Sequence, residues 1–278
     1  MWQPDFFRTG LNRHSTFNYG RDTRSGAVKF EESDPEKRDF EKKWGVTLKD
    51  WRKWWNEFPS HWPRNEVYHQ VGRTVGGVPT GEPDIVATSE AILSALRPSP
   101  TEIVLDLCCG NGLVTERIAP HCGRLIGVDF SEPLIRIARS RTPDVKFVVA
   151  DVTMIDGVLL GVDRVDAAYL AFTFHNFDEE MASKLLSQLK IIAKPKFRLF
   201  LESIPDIDRI KAHYHTPERM AAHRDRKAKG TELIENWWST NQLIAVARAE
   251  GFACELHMQG TDRVNNHYRF DALLTLLA

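Results

Sequence analysis

The chain has 278 residues, of which 42% are hydrophobic and 27% are charged. This composition is that of an ordinary globular protein with enough apolar residues to bury a core. The formal net charge of −1 argues against a general attraction to nucleic acid or to an anionic membrane. No segment approaches the roughly 18 apolar residues of a membrane span, and the first residues lack the basic and apolar regions of a secretory signal. We therefore expect a cytoplasmic protein without a membrane partner.

The four cysteines give no sign of a metal cluster or a disulfide framework. Two are adjacent, and no pair has the Cys-x-x-Cys spacing of a zinc site. We expect free thiols in a reducing compartment, and no metal ion.

The N-terminal part differs in character from the rest. Residues 1–32 are polar and without periodicity, which predicts an irregular arm. Thr47 resembles a helix N-cap ahead of Trp51 and Trp55, which share a helix face at a spacing of four. This helix either packs on the main domain or forms a lid over a ligand pocket. We expect residues 1–83 to be an arm with a lid-like helical segment, and 84–278 to be the main domain.

From residue 84 onward, apolar runs alternate with helical patterns. After a helix at 84–96, strands are predicted at 103–107, 125–128, 145–149, 165–171 and 197–201. Further helices are predicted at 111–120, from Ser131 onward, at 178–193 and at 240–249, and a final antiparallel strand pair at 252–258 and 267–277. The pattern favours an α/β fold, a doubly wound, mostly parallel seven-stranded sheet with helices on both faces. The polar segment 204–238 is predicted to be a helical insert after the fifth strand.

The first strand leads into Val104-Leu-Asp-Leu-Cys-Cys-Gly-Asn-Gly112. Glycines allow a ligand to approach the backbone closely, and the start of the next helix offers unpaired N–H groups. The run lacks the third glycine of the dinucleotide pattern, which argues against a nicotinamide enzyme.

Asp106 lies at the end of the first strand, and two more acidic residues lie at the ends of the following strands. Asp129 ends the second strand, where a carboxylate is placed to bind ribose hydroxyls. Asp151 follows the third strand, where it can accept a hydrogen bond from an adenine amino group. Together with Asp106 they predict an adenosine site.

These motifs resemble those of the class I methyltransferases, which bind S-adenosylmethionine on a seven-stranded sheet. VLDLCCGNG stands at the glycine motif, GVDFS at the ribose-binding strand end and VVADV at the adenine-binding one. The resemblance implies S-adenosylmethionine as cofactor, S-adenosylhomocysteine as product, and a segment around Tyr68 that closes over the cofactor. It implies a cofactor site formed by Tyr68, Asp106, Cys108, Gly110, Gly112, Asp129, Phe130, Ser131, Asp151, Val152 and Ala171.

The resemblance also implies that Ala171-Phe-Thr-Phe-His-Asn-Phe177 lies beneath the transferable methyl group. His175 is either a general base for a hydroxyl acceptor or a positioning residue. Phe174 is a candidate pocket wall, although core packing explains it equally well. The motifs of enzymes that methylate exocyclic base amines or cytosine carbon are absent from this stretch.

The insert is the most individual part of the sequence. It carries seven Lys or Arg residues between Arg209 and Lys229, and two adjacent tryptophans. Such residues either bind an anionic or sugar-containing acceptor or form a solvated face with tryptophan anchors. The candidate acceptor residues are Phe174, His213, Tyr214, Arg224, Trp237 and Trp238. Near the C-terminus we expect an edge strand in which Arg269 pairs with Asp271.

Three functions remain open at this point. The first is methyl transfer to an O or N atom of a small or medium-sized acceptor, such as a sugar-containing or natural-product metabolite. The second is methylation of RNA or protein, and the third is a non-catalytic, cofactor-binding partner subunit. The oligomeric state stays open, with a homodimer among the options.

Overall fold

The computed structural model describes residues 51–75, 77–230 and 232–277. The chain divides into two compact units, Met1–Trp44 and Gly45–Ala278, and all described residues belong to the second. The predicted arm at 1–32 and the predicted cap Thr47 lie outside the described residues.

The centre of the fold is a seven-stranded sheet in the order β5-β4-β3-β6-β7-β9-β8. The first five strands of this order run parallel, and β7, β9 and β8 pair antiparallel. Its strands are β3 Ile103–Leu107, β4 Arg124–Asp129, β5 Lys146–Val149, β6 Val165–Ala171, β7 Ala193–Pro205, β8 Phe252–Met258 and β9 Arg269–Leu276. A short hairpin, β1 Thr74–Val75 with β2 Val78–Pro79, precedes them. The predicted seven-stranded, mostly parallel fold is confirmed.

The last strand is not at the edge of the sheet, so that expectation was wrong. β9 lies between β7 and β8, and β8 is the edge strand. Burial explains the order, because the first four residues of β9 are all buried, whereas most of β8 is at least partly exposed.

Helices cover both faces of the sheet. They are α1 Trp51–Glu57, α2 Glu82–Leu96, α3 Thr115–Ile118, α4 Glu132–Arg141, α5 Gly157–Leu160, α6 Glu179–Ile192, α7 Ile210–His213, α8 Pro217–Lys229 and α9 Thr240–Ala249. Successive strand residues point to opposite faces. Accordingly, Leu105 packs in a core with Leu185 of α6 and Leu243 of α9, whereas Val104 packs with Ile92 of α2.

The strand order changes direction at β3, because β4 lies on one side of it and β6 on the other. In open parallel sheets, ligands bind at the carboxyl ends of the strands at such a point. The ends of β3, β4, β6 and β7 therefore define the candidate site. The predicted insert follows β7 as a 3-10 turn, Ile207–Arg209, and the helices α7 and α8.

Candidate active site

The turn after β3 is built from residues with left-handed backbone. Cys108 has φ +58°, Gly110 +55° and Gly112 +76°. A side chain at Cys108 costs roughly 1–2 kcal/mol in this region. A Cβ on Gly112 would lie 3.2 Å from Cβ of Ala138, so the turn packs closely on α4.

Asp129 joins this turn to the end of β4. The N–H of Gly110 donates to its Oδ2 at 2.9 Å, and the N–H of Ser131 donates to Oδ1 at 2.8 Å. Burial raises the pKa of Asp129 to about 6, although both hydrogen bonds act to lower it. Ser131 also begins α4 as its N-cap, as predicted, by accepting from the N–H of Leu134.

Asp106 lies near the end of β3 and is buried. It is 2% exposed and accepts a 2.5 Å hydrogen bond from Oγ1 of Thr115. Burial raises its pKa to about 7, against the effect of that hydrogen bond. Its carboxyl group thereby anchors the start of α3, and the expectation that Asp106 lines the cofactor stays a prediction.

Asp151 lies at the rim, beyond the end of β5. It accepts hydrogen bonds from the N–H and Oγ1 of Thr153, at 2.9 and 2.8 Å, and forms an ion pair with Arg52. Although burial acts to raise it, the pKa of Asp151 is lowered by these contacts. The neighbouring Val152 is buried in the core, and Phe130 is half-buried beside Asp129.

The segment ahead of α2 contacts all three of these strand ends. Nδ2 of Asn111 in the glycine turn donates to the carbonyl of Val67 at 2.8 Å, and Ser131 Oγ donates to the carbonyl of Trp55 at 2.7 Å. A Cβ on Gly110 would lie 3.0 Å from Cγ1 of Val71. Tyr68 is half-buried, and its hydroxyl donates to Glu82 at 3.2 Å. These contacts fit both alternatives, a segment packed on the main domain and a lid over the cofactor, so the lid stays a prediction.

At the end of β6, the aromatic residues divide between core and site. Phe174 stacks on Phe177 with ring centroids 5.4 Å apart, and lies 5.0 Å from the ring of Trp238. Phe174 and Trp238 are 2% and 1% exposed, so the structure puts both in the core and not on a pocket wall. Their aromatic character suits either place, and the sequence does not say which face each ring takes.

His175 sits on the 3-10 turn Phe174–Asn176 directly after this strand end. Its carbonyl accepts from the N–H of Asn236 at 2.9 Å, which fixes the turn. Its Nδ1 is buried and has no hydrogen-bond partner within the described part of the chain. Burial, and secondarily the charge of Arg269, lowers the pKa of His175 to about 3. The ring is therefore neutral at physiological pH, and it is a weak base.

Sequence reasoning missed a network of buried charges beside the ends of β6 and β7. Glu202 is fully buried and ion-pairs with Arg263 and, at 3.7 Å, with Arg73. Arg73 also lies 3.4 Å from Asp84 of α2, and Arg263 lies 3.8 Å from Asp271. The available signal was Glu202 itself, a carboxylate that continues a buried apolar strand.

Arg269 does not pair with Asp271, which corrects the predicted contact. A bulge between Leu201 and Ile204 leaves the backbone of Ser203 unpaired, with φ +67°. Asp271 accepts from the N–H of Ser203 at 2.7 Å, and Arg269 donates to the carbonyl of Ser203. The two side chains thus replace the sheet hydrogen bonds that the bulge removes.

The insert brings some of its predicted acceptor residues together. The ring of His213 lies 4.3 Å from that of Tyr268, 4.5 Å from Tyr214 and 5.9 Å from Trp237. Arg224 does not join this group, because it is exposed on α8.

In the part of the chain that the structure describes, no group of three or more His, Cys, Asp or Glu side chains could hold a metal ion. Within the same residues, none of the helices has the length and apolar character needed to cross a membrane.

Comparison with known proteins identifies a methyltransferase domain in this chain. Residues 104–196 match the model of a methyltransferase domain. The chain is 27% identical over 186 residues to a demethylmenaquinone methyltransferase of Clavibacter sepedonicus, covering 62% of this chain and 72% of that protein. It is 26% identical over 181 residues to an uncharacterized 37.1 kDa protein in a Streptomyces fradiae transposon, covering 61% of this chain and spanning about half (51%) of that protein.

Among solved structures, magnesium protoporphyrin IX methyltransferase from Synechocystis PCC 6803 with bound S-adenosylhomocysteine has a TM-score of 0.57. The sequences are 16% identical, and the match covers 83% of this chain and 99% of that one. The same protein was also crystallised with S-adenosylmethionine.

The fold is that of S-adenosylmethionine-dependent methyltransferases, and residues 104–196 match a methyltransferase domain. Both findings agree with the predicted resemblance to the class I methyltransferases and with S-adenosylmethionine as the cofactor.

Proposed function

We propose that this protein transfers a methyl group from S-adenosylmethionine to an O or N atom of a small or medium-sized acceptor. The observation that carries the proposal is the bridge formed by Asp129, which ties the glycine turn to the end of β4 at 2.9 Å. This bridge brings a carboxylate for ribose hydroxyls and a glycine backbone for the methionine part to adjacent strand ends.

The residues present fit this cofactor. Each Asp129 oxygen takes one backbone hydrogen bond and retains lone pairs for a ribose. Gly110 has no side chain of its own to block a ligand, and the side chain of Val71 lies against its backbone. Phe130 and Asp151 would border the adenine, and Cys108, Gly110 and Gly112 the methionine part. Ala171 would lie beneath the reacting carbon.

The bound cofactor supplies an activated methyl group on a sulfonium centre. The chain's own residues orient the acceptor and exclude water. We propose His175 as a positioning residue, because a neutral imidazole of low basicity at the end of β6 is poorly matched to proton abstraction near pH 7.

A small-molecule acceptor is supported by two of the similar proteins, whose names refer to demethylmenaquinone and magnesium protoporphyrin. The proposed acceptor region is the aromatic group His213, Tyr214 and Trp237, together with Tyr268, beside the end of β6.

The test starts with binding. S-adenosylmethionine and S-adenosylhomocysteine should each add one equivalent of mass in native mass spectrometry and raise Tm, whereas NAD should do neither. Tritium transfer from the labelled methyl group is then measured against a library of phenols, quinones, amines and hydroxy acids. Binding without transfer to a library member, or to RNA or protein, would favour the partner-subunit reading instead.

A further inference from the structure

The side chain of Arg269 occupies an unusual place at the start of β9. It is 1% exposed, and its guanidinium carbon lies 4.4 Å from the ring centroid of Phe172 and 5.0 Å from that of Tyr268. Phe172 directly follows β6 and has φ +57°, so its backbone is held in a strained conformation at the end of that strand. Arg269 is therefore buried beside the proposed reaction site.

No carboxylate of the described residues lies within ion-pair distance of Arg269. Arg73 pairs with Asp84 and Glu202, and Arg263 pairs with Glu202 and Asp271, so each of these three carboxylates is engaged by another arginine. Nη1 of Arg269 donates one hydrogen bond to the carbonyl of Ser203, and its Nε has no partner among the residues that the structure describes. A buried cation with donors left unpaired is costly unless something else compensates it.

The surroundings of Arg269 add donors and further positive charge. The guanidinium carbon of Arg73 lies 4.5 Å from the same Phe172 ring. Trp237, whose ring is 5.7 Å from that of Tyr268, has a buried Nε1 without a partner. Indole and guanidinium nitrogens only donate hydrogen bonds, so both need an acceptor that the described residues do not provide.

We propose that the methyl acceptor carries an anionic group, a carboxylate or a phosphate, and that Arg269 binds this group beside Phe172. The inference rests on the proposed function, because it assigns part of the acceptor site of the same enzyme. Arginine suits such a role, since its planar fork matches the oxygen pairs of both anions. The aromatic group of the insert would hold the body of the acceptor.

The cofactor's own carboxylate is the other source of the same chemistry. The two sources differ in what Arg269 controls. If Arg269 binds the acceptor, its loss leaves cofactor affinity nearly unchanged. If it binds the cofactor, its loss removes the preference for S-adenosylhomocysteine over 5′-methylthioadenosine, which lacks the carboxylate.

The experiment is calorimetric titration of the wild-type protein, saturated with S-adenosylhomocysteine, with benzoate, phenyl phosphate and neutral benzamide. We expect at least one anion to bind tenfold or more tightly than benzamide. Equal binding of the three probes, or no binding of any, would overturn the proposal without requiring a variant. The titration is repeated without S-adenosylhomocysteine, so that a failure of cofactor binding and a failure of anion binding are read separately.

Variants then assign the effect to Arg269. Arg269→Gln should abolish the preference for the anion, and Arg269→Lys should retain part of it. Arg248→Gln, an exposed arginine on α9, is the matched control and should behave as wild type. A folded Arg269→Lys or Arg269→Gln variant with undiminished anion preference would overturn the proposal. The proposal would also be overturned if either variant no longer bound S-adenosylhomocysteine in preference to 5′-methylthioadenosine.

Discussion

Replacing Asp129 by alanine tests the bridge that this residue forms between the glycine turn and the end of β4. The substitution removes the acceptor of the N–H groups of Gly110 and Ser131, and with it the carboxylate proposed to bind the ribose. It therefore acts on stability and on cofactor binding through different contacts.

The two effects differ in size. Two buried donors left unpaired cost roughly 1–3 kcal/mol each. Against this, burial raises the pKa of Asp129 from its ordinary 3.8 to about 6, and removing the ionised group recovers about 3 kcal/mol at neutral pH. The net effect on the free energy of unfolding should therefore lie between a gain of about 1 kcal/mol and a loss of about 3 kcal/mol. Loss of a charge-assisted hydrogen bond to ribose, worth about 1.5–3 kcal/mol, should weaken cofactor binding by roughly 10- to 150-fold.

Calorimetric titration with S-adenosylhomocysteine gives Kd, and urea unfolding gives stability. The matched control is Asp156→Ala, which removes another aspartate that accepts from a backbone N–H, that of Leu159 at 2.7 Å, at the start of α5. It should leave Kd unchanged. Wild-type affinity in a folded Asp129→Ala protein would refute the assigned role of this carboxylate.

Three further predictions follow from backbone geometry and pKa values. Cys108→Val places a β-branched residue at φ +58° and should lower the free energy of unfolding by about 1–3 kcal/mol in urea titrations. The control is Cys254→Val within strand β8, which should cost much less. Equal losses at both sites would contradict the strain argument. Burial raises the pKa of Asp106 from 3.8 to about 7, so the folded state holds more protons than the unfolded state between these values and stability falls as pH rises through about 4–7. Asp106→Asn should remove this contribution, seen as a smaller loss of stability between pH 5 and pH 7.5 than in the wild type; an unchanged difference would show that Asp106 ionises normally. Since the pKa of His175 is lowered to about 3, methyl transfer to an identified acceptor should show no inflection near pH 6.5; such an inflection, lost in His175→Gln, would restore this histidine as the general base.

Much of the fold was predictable because its strands are buried on both faces. Such strands are continuous apolar runs, and β3 was located to the residue. The length of β7 was underestimated, because its apolar run ends at Leu201 whereas pairing continues through the bulge to Pro205. The polar pair Glu202 and Ser203 is typical of a loop. Their partners, Arg263 for Glu202 and Asp271 and Arg269 for Ser203, are known only from the structure.

The site was predictable where local sequence determines geometry. Ser131 and Asp129 each accept from a backbone N–H two or three residues further along the chain, and these contacts follow from a strand end and a helix start. The second contact of Asp129, with the N–H of Gly110, joins residues 19 apart and does not follow from a local pattern. The partners of Arg269 come from distant parts of the chain, as Ser203 lies 66 residues away. No local pattern encodes that contact, and the proposed pairing with Asp271 failed for this reason.

The central claim is that the strand ends around Asp129 bind S-adenosylmethionine for transfer of its methyl group. Native mass spectrometry of the full chain with S-adenosylmethionine tests this most directly, followed by denaturation to identify what is released. The account predicts one equivalent of bound cofactor in the wild type and an at least tenfold lower cofactor affinity in Asp129→Ala. A wild-type protein that remains unliganded at saturating cofactor, and shows no rise in Tm, would contradict it.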